Sequence, residues 1–226
     1  MLIIFDCDGV LVDSEILASE VNRTLAKEMG MEISLDDLSL RFSGLTGDAI
    51  FEKIAEELAV PVPENIVERS DQMLDDALKQ SLQAVAGVHD MLDAIDDPYC
   101  ICSNSTTVRL EQNLKIVSLF EQFHPHIFSA LEVRQNLPKP SPDVFLHAAE
   151  KLGVSPKDTI VIEDSSHGVE GAVAAGMRVI GFTGASHTYP GHGEKLMDAG
   201  AETTVSMLSD VNPTVQALKN WSGIGV

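Results

Sequence analysis

The stretch MLIIFDCDGVLVDS, residues 1–14, decides the fold of this chain. Its unbroken apolar run, residues 2–5, is typical of a short strand that is buried on both faces of a parallel sheet. Asp6 and Asp8 follow at once, so two carboxylates stand where this strand would end. Ligands of open α/β sheets bind beyond the carboxyl ends of the strands, which makes this acidic pair a candidate site. Taken alone, the pair is explained equally well as an ordinary acidic turn.

The composition limits the class of protein. Apolar residues make up 44% of the 226 residues and charged residues 22%, as in a soluble globular protein with one large domain or two modest ones. The sequence has no apolar run of the roughly 20 residues that a membrane span needs, and its N-terminus lacks the pattern of a signal peptide. We therefore expect a cytoplasmic protein. Cys100 and Cys102 lie in an apolar segment, which favours small core thiols over a metal site.

The charge of the chain limits its partners. The formal net charge is −20, from 35 acidic and 15 basic residues. Such a surface repels nucleic acid and anionic membranes, and we expect neither as a partner. It also repels a phosphorylated ligand, which must therefore be captured by a cation and by locally placed hydrogen-bond donors.

The segment that follows residue 14 changes in character. Between residues 15 and 83 the apolar residues recur at helical spacing, and glycines and prolines mark the breaks. This pattern predicts three or four helices with no strand between them. We interpret residues 15–85 as a helical cap domain that is inserted after the first strand, and residues 1–14 and 86–226 as the core domain.

From Gly87 onward, segments with helical and strand patterns alternate. Strands are predicted at residues 99–102, 126–129, 159–162 and 178–182, and helices at residues 89–95, 108–117, 143–152 and 168–175. Such alternation indicates right-handed crossovers and a mainly parallel sheet. The predicted fold class is therefore α/β, with a doubly wound, Rossmann-like core. We interpret residues 183–193 as a glycine-rich surface loop. The alternative is that its two histidines and its tyrosine contact the substrate or close against the cap.

Polar groups follow the other predicted strands of the core. Ser103 and Asn104 end one strand and open onto a helix, an arrangement that suits an anion site. The alternative is that Ser105 or Thr106 simply caps this helix.

Lys139 is held between two prolines in LPKPSPD, which suits either an aimed ammonium group or a helix lead-in with an incidental lysine. Glu163 and Asp164 form a second acidic pair at a strand end. Two acidic pairs at one sheet edge repel each other unless a cation lies between them, and carboxylate oxygens suit Mg²⁺.

Four segments of the chain together resemble a known family. DCDGVLVDSE, CSNS, KPSPD and IEDSSHGVEGAVAAGM are similar, in this order, to the four motifs of the haloacid dehalogenase-like hydrolase superfamily. The resemblance covers the chain from Leu2 to about Ala201. It points to the branch with a helical cap after the first motif, and within it to sugar-phosphate phosphatases and β-phosphoglucomutase-like proteins.

The resemblance implies a role for each motif residue. Asp6 would be the nucleophile that forms an aspartyl-phosphate, and Asp8 the general acid and base. Ser103 and Asn104 would bind the transferring phosphoryl group, and Lys139 would pair with it and with Asp6. The implied Mg²⁺ site is made of Asp6, Asp8, which would give its backbone carbonyl, and Asp164. Glu163 would be a further ligand beside Asp164 or would stand just behind the ligands. Because the family's dehalogenases lack the second aspartate of the first motif, the presence of Asp8 favours phosphorus over carbon as the target.

The predicted cap bears on the choice of substrate. The resemblance places Gly44, in a glycine-containing loop, among the substrate-binding residues. Related mutases carry a lysine and an arginine at the places that Ser43 and Gly47 hold here, and a mutase needs such cations to grip a second phosphate. We therefore expect a phosphatase of a small phosphorylated metabolite, a sugar or polyol phosphate, acting as a monomer or homodimer. The alternatives are a β-phosphoglucomutase-like mutase and a non-catalytic binding protein on the same fold.

Overall fold

The computed structural model describes residues 1–42, 45 and 47–221, and it is built around one parallel sheet. The strands are β1 (Leu2–Phe5), β2 (Tyr99–Ser103), β3 (Ile127–Ser129), β4 (Thr159–Glu163), β5 (Arg178–Phe182) and β6 (Thr203–Val205). They lie in the order β3-β2-β1-β4-β5-β6, and every neighbouring pair is parallel. The strand order reverses at β1, which confirms the predicted doubly wound α/β fold.

Helices cover the sheet and form the segment inserted after β1. They are α1 (Glu15–Met29), α2 (Leu35–Phe42), α3 (Gly47–Leu58), α4 (Ile66–Ser81), α5 (Val88–Asp93), α6 (Thr107–Ile116), α7 (Phe120–Phe123), α8 (Asp143–Leu152), α9 (Ser166–Ala174), α10 (His192–Asp198) and α11 (Val211–Trp221). Within the described part of the chain, no helix is long and apolar enough to cross a membrane.

The two faces of β1 lie in two separate parts of the hydrophobic core. Ile3 and Phe5 face the cluster that includes residues of α5, α6 and α11, whereas Leu2 and Ile4 face the cluster built on α8 and α9. All four side chains are fully buried, and burying such a side chain contributes about 1.5–3 kcal/mol. This double burial is why the strand has an unbroken apolar sequence, and it fixes the position of the residues that follow it.

Helices α1 to α4 surround a hydrophobic cluster of their own. Leu25, Phe51 and Ile54 are fully buried at its centre. The four helices agree with the predicted three or four, and the division into a cap of residues 15–85 and a core stays a prediction. The substrate-binding role predicted for Gly44 falls outside the described residues.

The two ends of this helical segment lie side by side. The backbone N–H of Asp13 donates to the carbonyl of Gln83 at 2.9 Å, and that of Val85 donates to the carbonyl of Leu11 at 3.0 Å. The chain therefore leaves the sheet and returns to it at almost the same point.

The structure differs from the sequence prediction chiefly at the C-terminal end. Strand β6 was not predicted because it has only three residues and two of them are threonines. Helix α10 begins at His192, inside the stretch that was interpreted as a loop, after Gly191 with a left-handed φ of 86°. The cysteines at positions 7, 100 and 102 are buried and form no disulfide.

Candidate active site

The predicted site residues meet at the carboxyl edge of the sheet. Asp6 follows β1, Ser103 ends β2, and Glu163 ends β4 with Asp164 directly after it. Because β1 lies between β2 and β4, three neighbouring parallel strands deliver these side chains to one place. All four of these side chains are buried, as is that of Lys139, which comes from the loop before α8. Topology alone therefore assembles the core of the site.

Lys139 joins the two acidic pairs. Its Nζ lies 2.7 Å from Oδ1 of Asp6 and 2.5 Å from Oε1 of Glu163, and only 6% of the residue is exposed. Its backbone N–H donates to Oδ1 of Asn104 at 2.8 Å, which ties the proline-rich loop to the end of β2. The ammonium group is thus held in place from two sides, and its single positive charge is shared between two buried carboxylates.

The charge balance around Asp6 is incomplete. Burial raises the pKa of Asp6 well above its ordinary value; Lys139 lowers it, and the neighbouring carboxylates of Glu163, Asp164 and Asp8 raise it further. Burial by itself would lower the pKa of Lys139, but the two carboxylates that it contacts raise this pKa above its ordinary value. The lysine therefore stays charged, and a further cation near Asp6 would stabilise the ionised form of its carboxyl group.

Asp8 is oriented by a set of hydroxyl groups. Its Oδ1 accepts a hydrogen bond from the Ser14 hydroxyl at 2.7 Å, and its Oδ2 accepts one from the Ser105 hydroxyl at 2.8 Å. The hydroxyl of Ser103 lies 3.3 Å from the same Oδ2. Thr106 accepts the capping hydrogen bond of helix α6, one of the two positions at which a helix cap was predicted. Ser103 is thus directed to Asp8, and the carboxylate of Asp8 is held in one orientation.

One acidic cluster in the described part of the chain has the spacing of a metal site. Carboxylate oxygens of Asp6, Glu163 and Asp164 lie within 4.8 Å of one another, and all three residues are buried. Hard oxygen donors of this kind fit Mg²⁺. Glu163 is already engaged, because Oε1 contacts Lys139 and Oε2 accepts hydrogen bonds from the backbone N–H and hydroxyl of Ser165, both at 3.0 Å.

His187 also lies at this site, within the stretch that was interpreted as a surface loop. Its Nε2 lies 3.0 Å from Oδ2 of Asp164, and 12% of its side chain is exposed. His192, also buried, places its Nε2 2.6 Å from the backbone oxygen of Asp164 and stacks on Tyr189 at 4.8 Å between ring centroids. The surface-loop interpretation is therefore wrong for these residues. Their position after β5 was the only available signal, since that strand also ends at this edge.

Close packing at Gly9, in the first motif, sets how near the loop with His187 comes to that motif. Gly9 has a φ of +80°, and a Cβ atom there would lie 2.0 Å from Oδ2 of Asp164 and 2.8 Å from Cε1 of His187. Glycine is therefore required for both its conformation and its size. Burial lowers the pKa of His187, but the hydrogen bond and charge of Asp164, with Glu15 and Asp13, raise it above its ordinary value overall.

A cavity of about 520 Å³ opens over the acidic residues. Its floor includes Asp6, Asp8 and Lys139, and its opposite wall is formed by helices α1 to α4. This volume suits a ligand of the size of a small metabolite. Glu15 lines the cavity, and its pKa is raised to about 7, first by burial and then by the charge of Asp164.

Residues 3–182 match the family model of haloacid dehalogenase-like hydrolases. This chain belongs to that family. A curated relative, 6-phosphogluconate phosphatase of Escherichia coli (strain K12), is 29% identical over 192 residues, which are 83% of this chain and 85% of the relative. Hexitol phosphatase B of the same strain is 28% identical over 184 residues, or 78% and 81% of the two chains.

A solved structure resembles this hydrolase over nearly its whole length. The crystal structure of a conserved haloacid dehalogenase-like protein of unknown function from Agrobacterium tumefaciens str. C58 superposes with a TM-score of 0.94 at 47% identity. The match covers 96% of this chain and 98% of that one. The family resemblance recognised in the four sequence motifs is thereby confirmed.

Two ion pairs made by Arg109 link the helical segment of the hydrolase to the sheet side of the cavity. Nη2 of Arg109, on α6, lies 2.9 Å from Oδ1 of Asp75 and 3.3 Å from Oδ1 of Asp71, both on α4. Arg109 and Asp71 line the cavity. The local sequence pattern gives no indication of this contact, because nothing in it shows how α4 is placed against α6.

Proposed function

We propose that this hydrolase is a Mg²⁺-dependent phosphatase of a small phosphorylated metabolite, a sugar or polyol phosphate. The observation that carries the proposal is the placement of three groups on the floor of one cavity. These are the buried carboxylate of Asp6, the cation of Lys139 beside it, and the oriented carboxylate of Asp8. The names of the two curated relatives support a phosphorylated carbohydrate as the substrate.

Asp6 and Asp8 divide the chemistry between them. An oxygen of the ionised Asp6 attacks phosphorus, and the bond from phosphorus to the alcohol oxygen breaks. Asp8, which enters this step in its protonated form, donates its proton to the departing alcohol oxygen. Asp8 then takes a proton from water, whose oxygen attacks the phosphorus of the aspartyl-phosphate. The bond to Asp6 breaks, inorganic phosphate leaves, and both carboxyl groups return to their initial states.

The remaining residues position the phosphoryl group and balance its charge. Asn104 accepts the Lys139 backbone N–H at its Oδ1, so its Nδ2 is the group that donates to a phosphoryl oxygen. Ser103 binds the same group from the end of β2. Lys139 holds Asp6 in line and offsets part of the negative charge. This is the kind of stabilisation on which phosphoryl transfer mainly depends.

Asp6 and Asp164 are the carboxylates that would hold Mg²⁺, with Asp8 contributing as the resemblance implies. When bound, the ion supplies positive charge that reduces the repulsion between Asp6 and the phosphate. The spacing of the acidic cluster fits such an ion. Because both oxygens of Glu163 have partners, its main part is to hold Lys139, and its place as a direct ligand stays a prediction.

Binding of Mg²⁺ is expected to stabilise the folded protein through Asp164. At a concentration a hundred times the dissociation constant, the melting temperature should rise by about 5–10 °C in differential scanning calorimetry. Asp164→Ala should abolish this rise. Asp158→Ala, which removes an exposed carboxylate outside the site, should keep it. An unchanged Mg²⁺-dependent rise in Asp164→Ala would remove this residue from the proposed metal site.

Hydrolysis is expected to prevail over the mutase reaction. Both reactions form an aspartyl-phosphate, but a mutase must hold the distal phosphate of a bisphosphate intermediate with cations of the cap. Residues 43–48, SGLTGD, supply none. We therefore expect glucose 1-phosphate, followed by phosphorus NMR in both anomers, to give free phosphate. No activation by glucose 1,6-bisphosphate is expected. Glucose 6-phosphate forming faster than free phosphate would establish the mutase instead.

A further inference from the structure

We propose that the cavity selects substrates whose end distant from the phosphate is uncharged and rich in hydroxyl groups, and that it rejects a second anionic group there. This inference rests on the proposed phosphatase function and narrows it. It commits to neutral sugar or polyol monophosphates over sugar-acid phosphates and bisphosphates. Besides Lys139, Arg109 is a basic side chain that lines this cavity.

Arg109 is neutralised by the helical segment. Its Nε lies 3.1 Å and its Nη2 2.9 Å from Oδ1 of Asp75, and Nη2 lies 3.3 Å from Oδ1 of Asp71. Burial lowers the pKa of Arg109, yet the charges and hydrogen bonds of these two carboxylates raise it above its ordinary value. One guanidinium and two carboxylates carry a net charge of −1, so this group attracts no anion.

On the described part of the cavity wall, no arginine or lysine other than Lys139 compensates for this charge. Within the described ranges, the basic side chains that line the cavity are those of Lys139 and Arg109, apart from the histidines beside the acidic cluster. Lys139 is held on the floor by Asp6 and Glu163. The residues at positions 43, 44 and 46 are serine, glycine and threonine, so they add no charge.

The wall formed by the inserted helices instead offers neutral polar groups. These are the hydroxyls and the amide of Ser19, Asn22, Ser39 and Ser70. The Ser70 hydroxyl and Oδ1 of Asn22 lie 3.5 Å apart, so two of these groups already stand within reach of each other. Hydroxyl and amide groups both donate and accept, which matches the hydroxyls of a sugar or polyol. Because Asp71 lies on the same wall, a carboxylate or phosphate would meet repulsion there.

The test compares matched pairs of substrates that differ in a single group. Sorbitol 6-phosphate and 6-phosphogluconate share chain length and phosphate but end in a CH₂OH group and a carboxylate; ribitol 5-phosphate and 5-phosphoribonate form a shorter pair. We expect kcat/KM to favour the neutral member of each pair by about tenfold or more, with the preference falling as salt is added. A ratio of one or below in both pairs would overturn the inference.

Variants of α4 locate the origin of the preference. Asp71→Asn and Asp75→Asn each remove a negative charge and loosen the hold on Arg109, so each should raise kcat/KM for the anionic member and reduce the ratio several-fold. Asp76→Asn, on the same helix but outside the cavity lining, should leave the ratio unchanged. An unchanged ratio in both Asp71→Asn and Asp75→Asn would show that these carboxylates do not set the preference, contrary to the proposal.

p-Nitrophenyl phosphate separates a failure of this inference from a failure of the proposed function. If the enzyme hydrolyses p-nitrophenyl phosphate but none of the four carbohydrate phosphates, the inference is overturned and only the phosphatase chemistry of the proposed function stands. No release of phosphate from any of these monoesters with Mg²⁺ present would overturn both.

Discussion

Replacing Asp6 with asparagine is expected to lower kcat for phosphate release by more than about a hundredfold, a loss of roughly 3 kcal/mol or more of transition-state stabilisation. An amide of the same shape carries no charge and is a poor nucleophile, so the aspartyl-phosphate does not form. The protein should remain folded, because Glu163 still pairs with Lys139 and one repelling carboxylate is gone from a crowded site. Phosphate release and thermal melting are measured together.

The matched control for this variant is Asp158→Asn, which makes the same chemical change at an exposed position outside the cavity. It should keep full activity. If Asp6→Asn retains more than about a hundredth of the wild-type kcat, covalent catalysis by Asp6 is wrong.

Replacing Lys139 with methionine is expected to destabilise the protein by about 3–5 kcal/mol and to abolish turnover. The change leaves Asp6 and Glu163 buried without the cation that both contact. Burial raises the pKa of Asp6 above its ordinary value even though Lys139 lowers it. The pKa should therefore rise further when the lysine is removed. A raised pKa contributes stability at low pH that is lost as the pH rises, so the destabilisation should be larger at pH 8 than at pH 5.

Urea denaturation at both pH values, without Mg²⁺, measures this effect. The double variant Lys139→Met and Glu163→Gln removes one of the two unpaired charges and should recover part of the stability but no activity. Lys157→Met, at an exposed position, is the control for the loss of a lysine. A loss of less than about 1 kcal/mol at pH 8 would show that Lys139 does not compensate the buried acids.

The central part of the fold was accessible from the sequence because β1, β2, β4 and β5 are buried on both faces. Such burial requires continuous apolar runs, and these are visible without any tertiary information. Strand β6 lies at the edge of the sheet and is short, so its sequence carries no comparable pattern. Its pairing with β5 depends on the tertiary structure.

The same distinction applies to the candidate site. Asp6, Ser103 and Glu163 directly follow or end buried strands, so the parallel topology was enough to bring them together. His187 and Arg109 depend instead on how a loop and a helix pack across the site, at distances of 3.0 Å and 2.9 Å from their partners. Contacts of this kind leave no local pattern, and only the three-dimensional structure identifies them.

The segments that enter and leave the inserted helices are hydrogen-bonded to each other around Leu11 and Val85. The inserted helices therefore form a side branch that is attached to the sheet-bearing part of the chain at one place. The order of the strands does not depend on these helices, because Leu11 and Val85 are already neighbours joined by a backbone hydrogen bond. Insertions or deletions within the branch therefore leave strand register untouched. If this branch moved as a rigid body, it would rotate about the hydrogen-bonded segments at Leu11 and Val85. Asp71 and Asp75 would then move away from Arg109 together.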